Sequence, residues 1–246
     1  MLEVRGICIR AGTETIVEDL SLDLAEGELT CLIGPSGCGK SSVVKWLAGV
    51  SARELRVQGH ASLFGKTAAL PNRNIAYQPQ QDTLLPWLTV TENVSLGPEI
   101  RGRDRKAARG HVRDLLPVFG LEGHENSFPD QLSGGMRQRV AFLRAIVQEA
   151  RLLLLDEPFS ALDAVTRLRM QAWLIERLAE RPRAVLMVTH DLYEATQMAD
   201  RVLMMAGGPG RIIADIPIDT PRADRSEAKL ADIRSTLKSM LLEETS

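Results

Sequence analysis

The chain has 246 residues, of which 44% are hydrophobic, 25% charged and 4% aromatic, and its formal net charge is −2. That length predicts one domain, or one domain with an inserted lobe, and the charge gives no basic excess of the kind that non-specific nucleic-acid binding requires. The cysteines are too few and too scattered for a disulfide framework or a zinc site, and no apolar stretch approaches the roughly 20 residues of a membrane helix, so we expect a cytosolic protein.

The first third of the chain is mainly β-like. Short apolar runs alternate with charged residues over 2–24 and predict an antiparallel hairpin with a turn at 11–15. A compact apolar strand at 29–33 runs into a glycine-rich loop, and an apolar helix follows as far as Leu47. Residues 56–64 again have the alternation of a strand.

The remaining sequence changes from helical to alternating character. Thr89 and Glu92 form a capping-box pattern, residues 106–119 have helical spacing, and a further helix is expected after Gly135. Beyond residue 150 we predict strands at 152–155, 184–189, 201–205 and 211–216, and helices at 164–179, 191–199 and 224–242. Strands that alternate with helices indicate an α/β fold with a mostly parallel sheet.

These patterns predict the organisation of one domain over residues 1–246. The core is expected to comprise residues 1–82, including an antiparallel β part, together with 151–221. A helical lobe at 83–150 interrupts this core, and a closing helical segment occupies 222–246.

The glycine-rich loop carries the clearest chemical signal. Residues 34–41 match the pattern G-x-x-x-x-G-K-[ST], between a strand and a helix, where backbone N–H groups and the helix amino terminus favour a phosphate. Lys40 is expected to reach the β- and γ-phosphates of ATP, and the Ser41 hydroxyl to ligate Mg²⁺. The alternative is an ordinary glycine-rich turn. The residues expected to contact the nucleotide here are Gly34, Pro35, Ser36, Gly37, Cys38, Gly39, Lys40, Ser41 and Ser42.

Two acidic residues, Asp156 and Glu157, follow the buried strand at 152–155. The carboxyl ends of parallel strands face the ligand crevice of an open sheet. Asp156 is therefore expected to hold Mg²⁺ through its water shell, and Glu157 to act as general base or to orient the attacking water. Without the phosphate loop, the pair would also suit the amino terminus of a helix.

Two further polar positions suit the same crevice. His190 follows the strand at 184–189 and is placed within reach of the γ-phosphate, although a histidine at a strand end also has ordinary structural roles. Gln80 lies in a polar run with Gln78 and Gln81 at the junction of the core and the lobe. Spacing alone does not choose among the three glutamines.

Residues 132–139 read LSGGMRQR, and this segment resembles the signature of ABC transporter ATPases. The phosphate loop, this segment, the acidic pair and His190 agree in order and spacing with an ATP-binding cassette, and the resemblance covers nearly the whole chain. It implies a P-loop ATPase that uses ATP and Mg²⁺. It also implies that Ser133, Gly134 and Gly135 form a helix tip that binds the γ-phosphate held by a second copy, in a head-to-tail homodimer.

The resemblance assigns further roles. It selects Gln80 as the residue that senses Mg²⁺ and the attacking water, and residues 160–163 as the loop that crosses the dimer interface. The lobe would dock a cytoplasmic helix of a membrane permease. The sequence LLPWLTV at 84–90, Met136 and residues 207–212 are similar to the nitrate/sulfonate/taurine branch of importers. That branch implies permease subunits, an extracytoplasmic solute-binding protein and a peripheral position on the cytoplasmic face of the inner membrane.

Two other functions stay open at this point. One is an exporter ATPase; the other is a soluble ABC protein of DNA repair or translation, with nucleic acid as its partner. The second is disfavoured because the chain has one cassette and a short lobe, and because no aromatic residues interleave with the arginines of 101–113.

The chain departs from the family pattern at Ala11. Cassettes usually stack adenine on an aromatic residue about two dozen residues before the phosphate loop, and no Tyr, Phe or Trp occurs within residues 1–45. Loss of base stacking is expected to weaken binding by about 1–3 kcal/mol, unless Arg10 or Ile16 substitutes.

Overall fold

The computed structural model describes residues 1–244; the last two positions of the predicted 222–246 segment lie outside them. In chain order the elements are β1 (Leu2–Ala11), β2 (Glu14–Leu24), β3 (Leu29–Ile33), α1 (Lys40–Leu47), β4 (Leu55–Leu63), β5 (Lys66–Thr67), β6 (Ile75–Gln78), α2 (Val90–Ile100), α3 (Arg105–Leu115), α4 (Gly134–Ile146), β7 (Leu152–Asp156), α5 (Ala164–Glu180), β8 (Ala184–Val188), α6 (Leu192–Met198), β9 (Arg201–Ala206), β10 (Arg211–Pro217) and α7 (Glu227–Glu243). Single 3₁₀ turns occur at Pro129–Gln131 and Arg222–Asp224.

The strands form two sheets. The larger has the order β10-β9-β3-β8-β7-β6, with parallel pairing throughout except for the antiparallel edge strand β10. The smaller sheet has the order β2-β1-β4-β5 and is antiparallel. The predicted α/β class with a mostly parallel sheet and an amino-terminal antiparallel part is confirmed.

Alternation along the central strands explains how both faces of the larger sheet are covered. In β7, Leu153 and Leu155 face a core shared with the helices α2 to α7, whereas Leu152 and Leu154 face a second core. That second core is formed with α1 and the antiparallel sheet. Strands buried on both faces require apolar residues at every position, which is why 152–155 reads as a continuous leucine run.

Residues 83–150 pack on the core through aromatic side chains. The ring centroids of Phe119 and Trp173 lie 4.9 Å apart, and those of Phe142 and Phe159 lie 5.2 Å apart, both in edge-on arrangements. The first member of each pair belongs to the helical segment and the second to the core. Edge-to-face pairs of this kind add about 0.5–1.5 kcal/mol beyond the area they bury.

The helix boundaries differ from the sequence prediction mainly at α3. The helix ends at Leu115 rather than at residue 119, because Pro117 has no N–H with which to continue the hydrogen-bond ladder. The capping box at the start of α2 is confirmed: the Glu92 N–H donates to the Thr89 hydroxyl oxygen, and the Thr89 N–H donates to the Glu92 carboxylate. Strand β6 was not predicted. Within residues 1–244, no helix has the length and apolar character that crossing a bilayer requires.

Candidate nucleotide site

The phosphate loop lies between the end of β3 and the start of α1. Lys40, which is 8% exposed, folds back over the loop and donates from Nζ to the carbonyl oxygens of Gly34 at 2.9 Å and Pro35 at 2.7 Å. Gly37 and Gly39 have φ values of 84° and 96°, a region that side chains disfavour. Within the described chain, no side chain caps the amino terminus of α1, so its first N–H groups stay available to an anion.

Ser41 and Asp156 meet directly below the loop. The Ser41 hydroxyl donates to Oδ1 of Asp156 at 3.0 Å, while Oδ2 of Asp156 has no hydrogen-bond partner among residues 1–244. Burial raises the pKa of Asp156 above its usual value, and the bond from Ser41 partly offsets this effect. A buried carboxylate oxygen without a donor is energetically costly unless a cation pairs with it. A hydroxyl and a carboxylate are oxygen ligands of the type that Mg²⁺ binds, so this pair fits the ion.

Glu157 lies between two other predicted site residues. Its φ of 49° is in the left-handed region, and its N–H donates to the carbonyl oxygen of Val188 at 3.0 Å, at the end of β8. Oε2 of Glu157 accepts a hydrogen bond from Nε2 of Gln80 at 3.2 Å and lies 3.3 Å from Nδ1 of His190. The carboxylate is thus held from both sides by residues that follow β6 and β8.

Most of the predicted residues line one open cleft of about 350 Å³. Its lining residues are Ile16, Ser36, Gly37, Gly39, Lys40, Ser41, Ser42, Gln80, Glu157 and His190. Three further residues of the loop do not line the cleft but contact the Lys40 ammonium group: Gly34, Pro35 and Cys38. Ile16 was one of the two residues proposed to replace the aromatic side chain that is missing at position 11. It contributes the one aliphatic side chain among these lining residues, whereas Arg10 and Ala11 do not line the cleft.

The structure does not bring Ser133, Gly134 and Gly135 into the cleft of their own chain. Ser133 caps α4, and its hydroxyl accepts a hydrogen bond from the N–H of Met136 at 3.3 Å. Ser133 and Gly134 are exposed at the tip of the helix. A helix amino terminus that faces solvent in this way is free to contact an anion held by another molecule.

Gly210 supports the phosphate loop, a role that the sequence interpretation missed. Its N–H donates to the carbonyl oxygen of Ile16 at 2.8 Å, and its own carbonyl oxygen accepts from the N–H of Glu18 at 2.9 Å. A Cβ atom at this position would lie 2.0 Å from the carbonyl oxygen of Cys38. The turn between β9 and β10 therefore packs directly on the loop, and the glycine cluster at 207–210 was the available signal.

Replacing Gly210 with alanine is expected to weaken ATP binding about tenfold or more, because overpacking costs about 1–3 kcal/mol and the displaced atom belongs to the phosphate loop. Titration with a fluorescent ATP analogue measures the effect. Gly207→Ala is the matched control in the same turn, since its Cβ would meet Cys38 Cβ at an ordinary 3.7 Å. Unchanged affinity in Gly210→Ala would show that the turn does not shape the loop.

Comparison with known proteins agrees with this geometry. The sequence model of the ABC transporter family matches residues 17–160, a range that contains the phosphate loop, the tip of α4 and the acidic pair. The chain belongs to the ABC transporter family. Its ATP-binding cassette is similar, at 42% identity over 92% of the chain and 82% of the relative, to the aliphatic sulfonates import ATP-binding protein SsuB 2 of Burkholderia cenocepacia.

Two more relatives of this ABC cassette extend the comparison. The formylaminopyrimidine import ATP-binding protein ThiZ of Halalkalibacterium halodurans is 38% identical over 96% of the chain and 93% of its own length. Among solved structures, the ATP-binding cassette MJ0796, in a dimeric post-hydrolysis state bound to ADP and Pi, superimposes with a TM-score of 0.80. It is 26% identical and covers 90% of this chain and 100% of its own. The protein is an ABC-type ATPase, the ATP-binding subunit of an ABC transporter, as the sequence predicted.

Proposed function

We propose that this subunit powers the import of a small solute of the nitrate, sulfonate or related organic class through a separate membrane permease. Two relatives that each match more than nine-tenths of the chain carry names that describe import of sulfonates and of a formylaminopyrimidine. The two names agree on the direction of transport and on small organic solutes. An exporter is disfavoured for the same reason.

The observation that carries the proposed ATPase mechanism is the position of the Glu157 carboxylate in the cleft. One of its oxygens lies within hydrogen-bonding distance of both Gln80 and His190, next to the loop that would hold the triphosphate. In this arrangement Glu157 orients the attacking water and accepts its proton, while Gln80 and His190 fix the carboxylate. The catalytic residues of the proposal are Glu157, His190 and Lys40.

Lys40 and the backbone N–H groups of the phosphate loop bind the β- and γ-phosphates in this proposal. Ser41 and Asp156, with Gln80 at the edge of the cleft, would hold Mg²⁺, which when bound neutralises phosphate charge. The partnerless buried oxygen of Asp156 supports this assignment. Charge neutralisation and positioning, rather than a covalent intermediate, account for the catalysis.

The proposal includes a homodimer that binds two nucleotides. The phosphate loop and the tip of α4 do not share a cleft within one chain, and both present N–H groups suited to phosphate. A head-to-tail pair with two-fold symmetry would place Ser133, Gly134 and Gly135 of one copy on the γ-phosphate bound by the other. The loop at 160–163 would then cross the interface.

We further propose that residues 83–150 dock the permease at the cytoplasmic face of the inner membrane, with an extracytoplasmic solute-binding protein completing the complex. Trp87, at the start of this segment, is 69% exposed, and the Ile100 side chain is 76% exposed. Exposed apolar side chains of this size suit a protein partner. Nucleic acid is disfavoured because Arg105 and Arg109 form ion pairs with Glu92 and Glu99 on the neighbouring helix.

Reconstitution of the chain with its permease in vesicles tests this proposal. ATP supplied on the side of this subunit is expected to drive a sulfonate such as taurine from the opposite side toward this side, and only when the permease and the binding protein are both present. Transport of the solute away from the ATP-containing side, with no dependence on a binding protein, would instead identify an exporter. Copurification from membranes identifies the partner independently of the solute.

A further inference from the structure

A second cavity lies at the edge of the larger sheet opposite to the nucleotide cleft, and we call it the basal cavity. It has a volume of about 160 Å³ and shares no lining residue with that cleft. Leu153 near the start of β7 and Arg183 just before β8 line it, whereas the acidic pair lies at the other end of β7. Its apolar floor is formed by Ile146, Val147, Leu153, Trp173, Leu174 and Leu178.

The size and the floor of the basal cavity suit a small apolar group. All six floor side chains are at most 8% exposed, so the floor belongs to the core of the protein. An apolar protein cavity of about 150 Å³ is large enough to bind benzene. The basal cavity therefore accommodates one aromatic ring or a short alkyl chain.

The rim of the basal cavity is charged and predominantly basic. His111 lines the cavity, and the charged residues of the rim are Arg103, Arg177, Arg181, Arg183, Glu149 and Glu180. Nη1 of Arg103 lies 3.6 Å from Oε1 of Glu149, and Nη1 of Arg177 lies 2.6 Å from Oε2 of Glu180. Each of the two carboxylates therefore forms an ion pair with one arginine.

The other two arginines leave the rim with excess positive charge. Nη1 of Arg183 donates to the carbonyl oxygens of Ile146 and Gln148, which fixes the guanidinium at the rim without neutralising it. Burial and then the like charge of Arg181 lower the pKa of Arg183, and the negative charge of Glu149 partly offsets this effect. Arg181 forms no ion pair with any residue in the described part of the chain.

We propose that the basal cavity binds a small organic anion, with its ring or short alkyl chain on the apolar floor and its carboxylate or sulfonate group at Arg181 and Arg183. Guanidinium groups bind such oxyanions through charge-assisted hydrogen bonds. The bound anion would contact α3, the end of α4 and α5 together, because Leu115, Ile146 and Trp173 all line the cavity. It would therefore stabilise the packing of the helical segment on the core.

Phenylacetate is a suitable probe because it joins one aromatic ring to one carboxylate. We expect saturable binding to the full-length, nucleotide-free protein by isothermal titration calorimetry, and a melting temperature that rises with phenylacetate concentration. The neutral analogue 2-phenylethanol and the cation phenethylammonium are expected to bind at least about tenfold more weakly, because they lack the charge-assisted hydrogen bonds. Equal binding of all three, or no binding of phenylacetate, would overturn the proposal.

The variant Arg181→Gln locates the site. It is expected to weaken phenylacetate binding roughly tenfold, the usual effect of losing one hydrogen bond to a charged group. Arg169→Gln is the matched control, since Arg169 is an exposed arginine of α5 that does not line the cavity. Unchanged phenylacetate affinity in Arg181→Gln, or an equal loss in both variants, would overturn the assignment. ATP affinity is expected to stay at the wild-type value in both.

Discussion

The variant Glu157→Gln is expected to hydrolyse ATP about 10²–10⁴-fold more slowly than the wild type. The amide keeps the size of the side chain, but it cannot accept a proton from the attacking water. The phosphate loop and its contacts with Lys40 are unaffected, so nucleotide still binds. ATP is therefore expected to accumulate in a closed dimer, which steady-state phosphate release and size-exclusion chromatography with ATP both detect.

Two controls separate this role from a general loss of charge or stability. Glu176→Gln removes an exposed carboxylate of α5 and is expected to leave turnover unchanged. His190 lies 3.3 Å from the same oxygen of Glu157, so the effects of Glu157→Gln and His190→Ala are expected to be strongly non-additive in a double-mutant cycle. Near-normal turnover in Glu157→Gln, without dimer accumulation, would move the role of base to another residue.

The parts of the site that are contiguous in sequence were predictable without a structure. The phosphate loop is short and is bounded by a strand and a helix, so its glycine spacing and Lys40 were enough to locate it in the sequence. The Asp156–Glu157 pair was also predictable, although Ser41 and Asp156 are 115 residues apart, because parallel strands bring their carboxyl ends to one edge of the sheet. The predicted clustering of His190 with this pair is present in the structure.

Other features depend on contacts that no local pattern records. Strand β6 is only four residues long and carries a buried glutamine, Gln78, so its periodicity was too weak to predict. The pairing of β6 with β7 brings Gln80 next to Glu157. The hydrogen bond between these two side chains distinguishes Gln80 from Gln78 and Gln81. Gly210 lies more than 170 residues beyond Cys38, and only the packed structure shows why a side chain cannot be accommodated there.

The variant Lys40→Ala is expected to abolish ATP turnover and to reduce ATP affinity below detection at micromolar nucleotide. The ammonium group donates hydrogen bonds to the carbonyl oxygens of Gly34 and Pro35, at distances of 2.9 and 2.7 Å. Its removal therefore takes away the cation that would meet the phosphates and also the donor that shapes the loop around them. Equilibrium binding of a fluorescent ATP analogue and phosphate release measure the two effects.

The comparison of Lys40→Ala with Lys40→Arg distinguishes the two contributions. Arginine keeps the positive charge, but its planar guanidinium cannot reproduce the compact geometry of an ammonium between two carbonyl oxygens. We expect Lys40→Arg to retain part of the ATP affinity and little turnover, because charge attracts the nucleotide whereas catalysis requires exact placement of the γ-phosphate. Lys66→Ala, at an exposed lysine of β5, is the control and is expected to behave as the wild type. Wild-type hydrolysis in Lys40→Ala would contradict the assignment of this loop as the phosphate site, whatever the family.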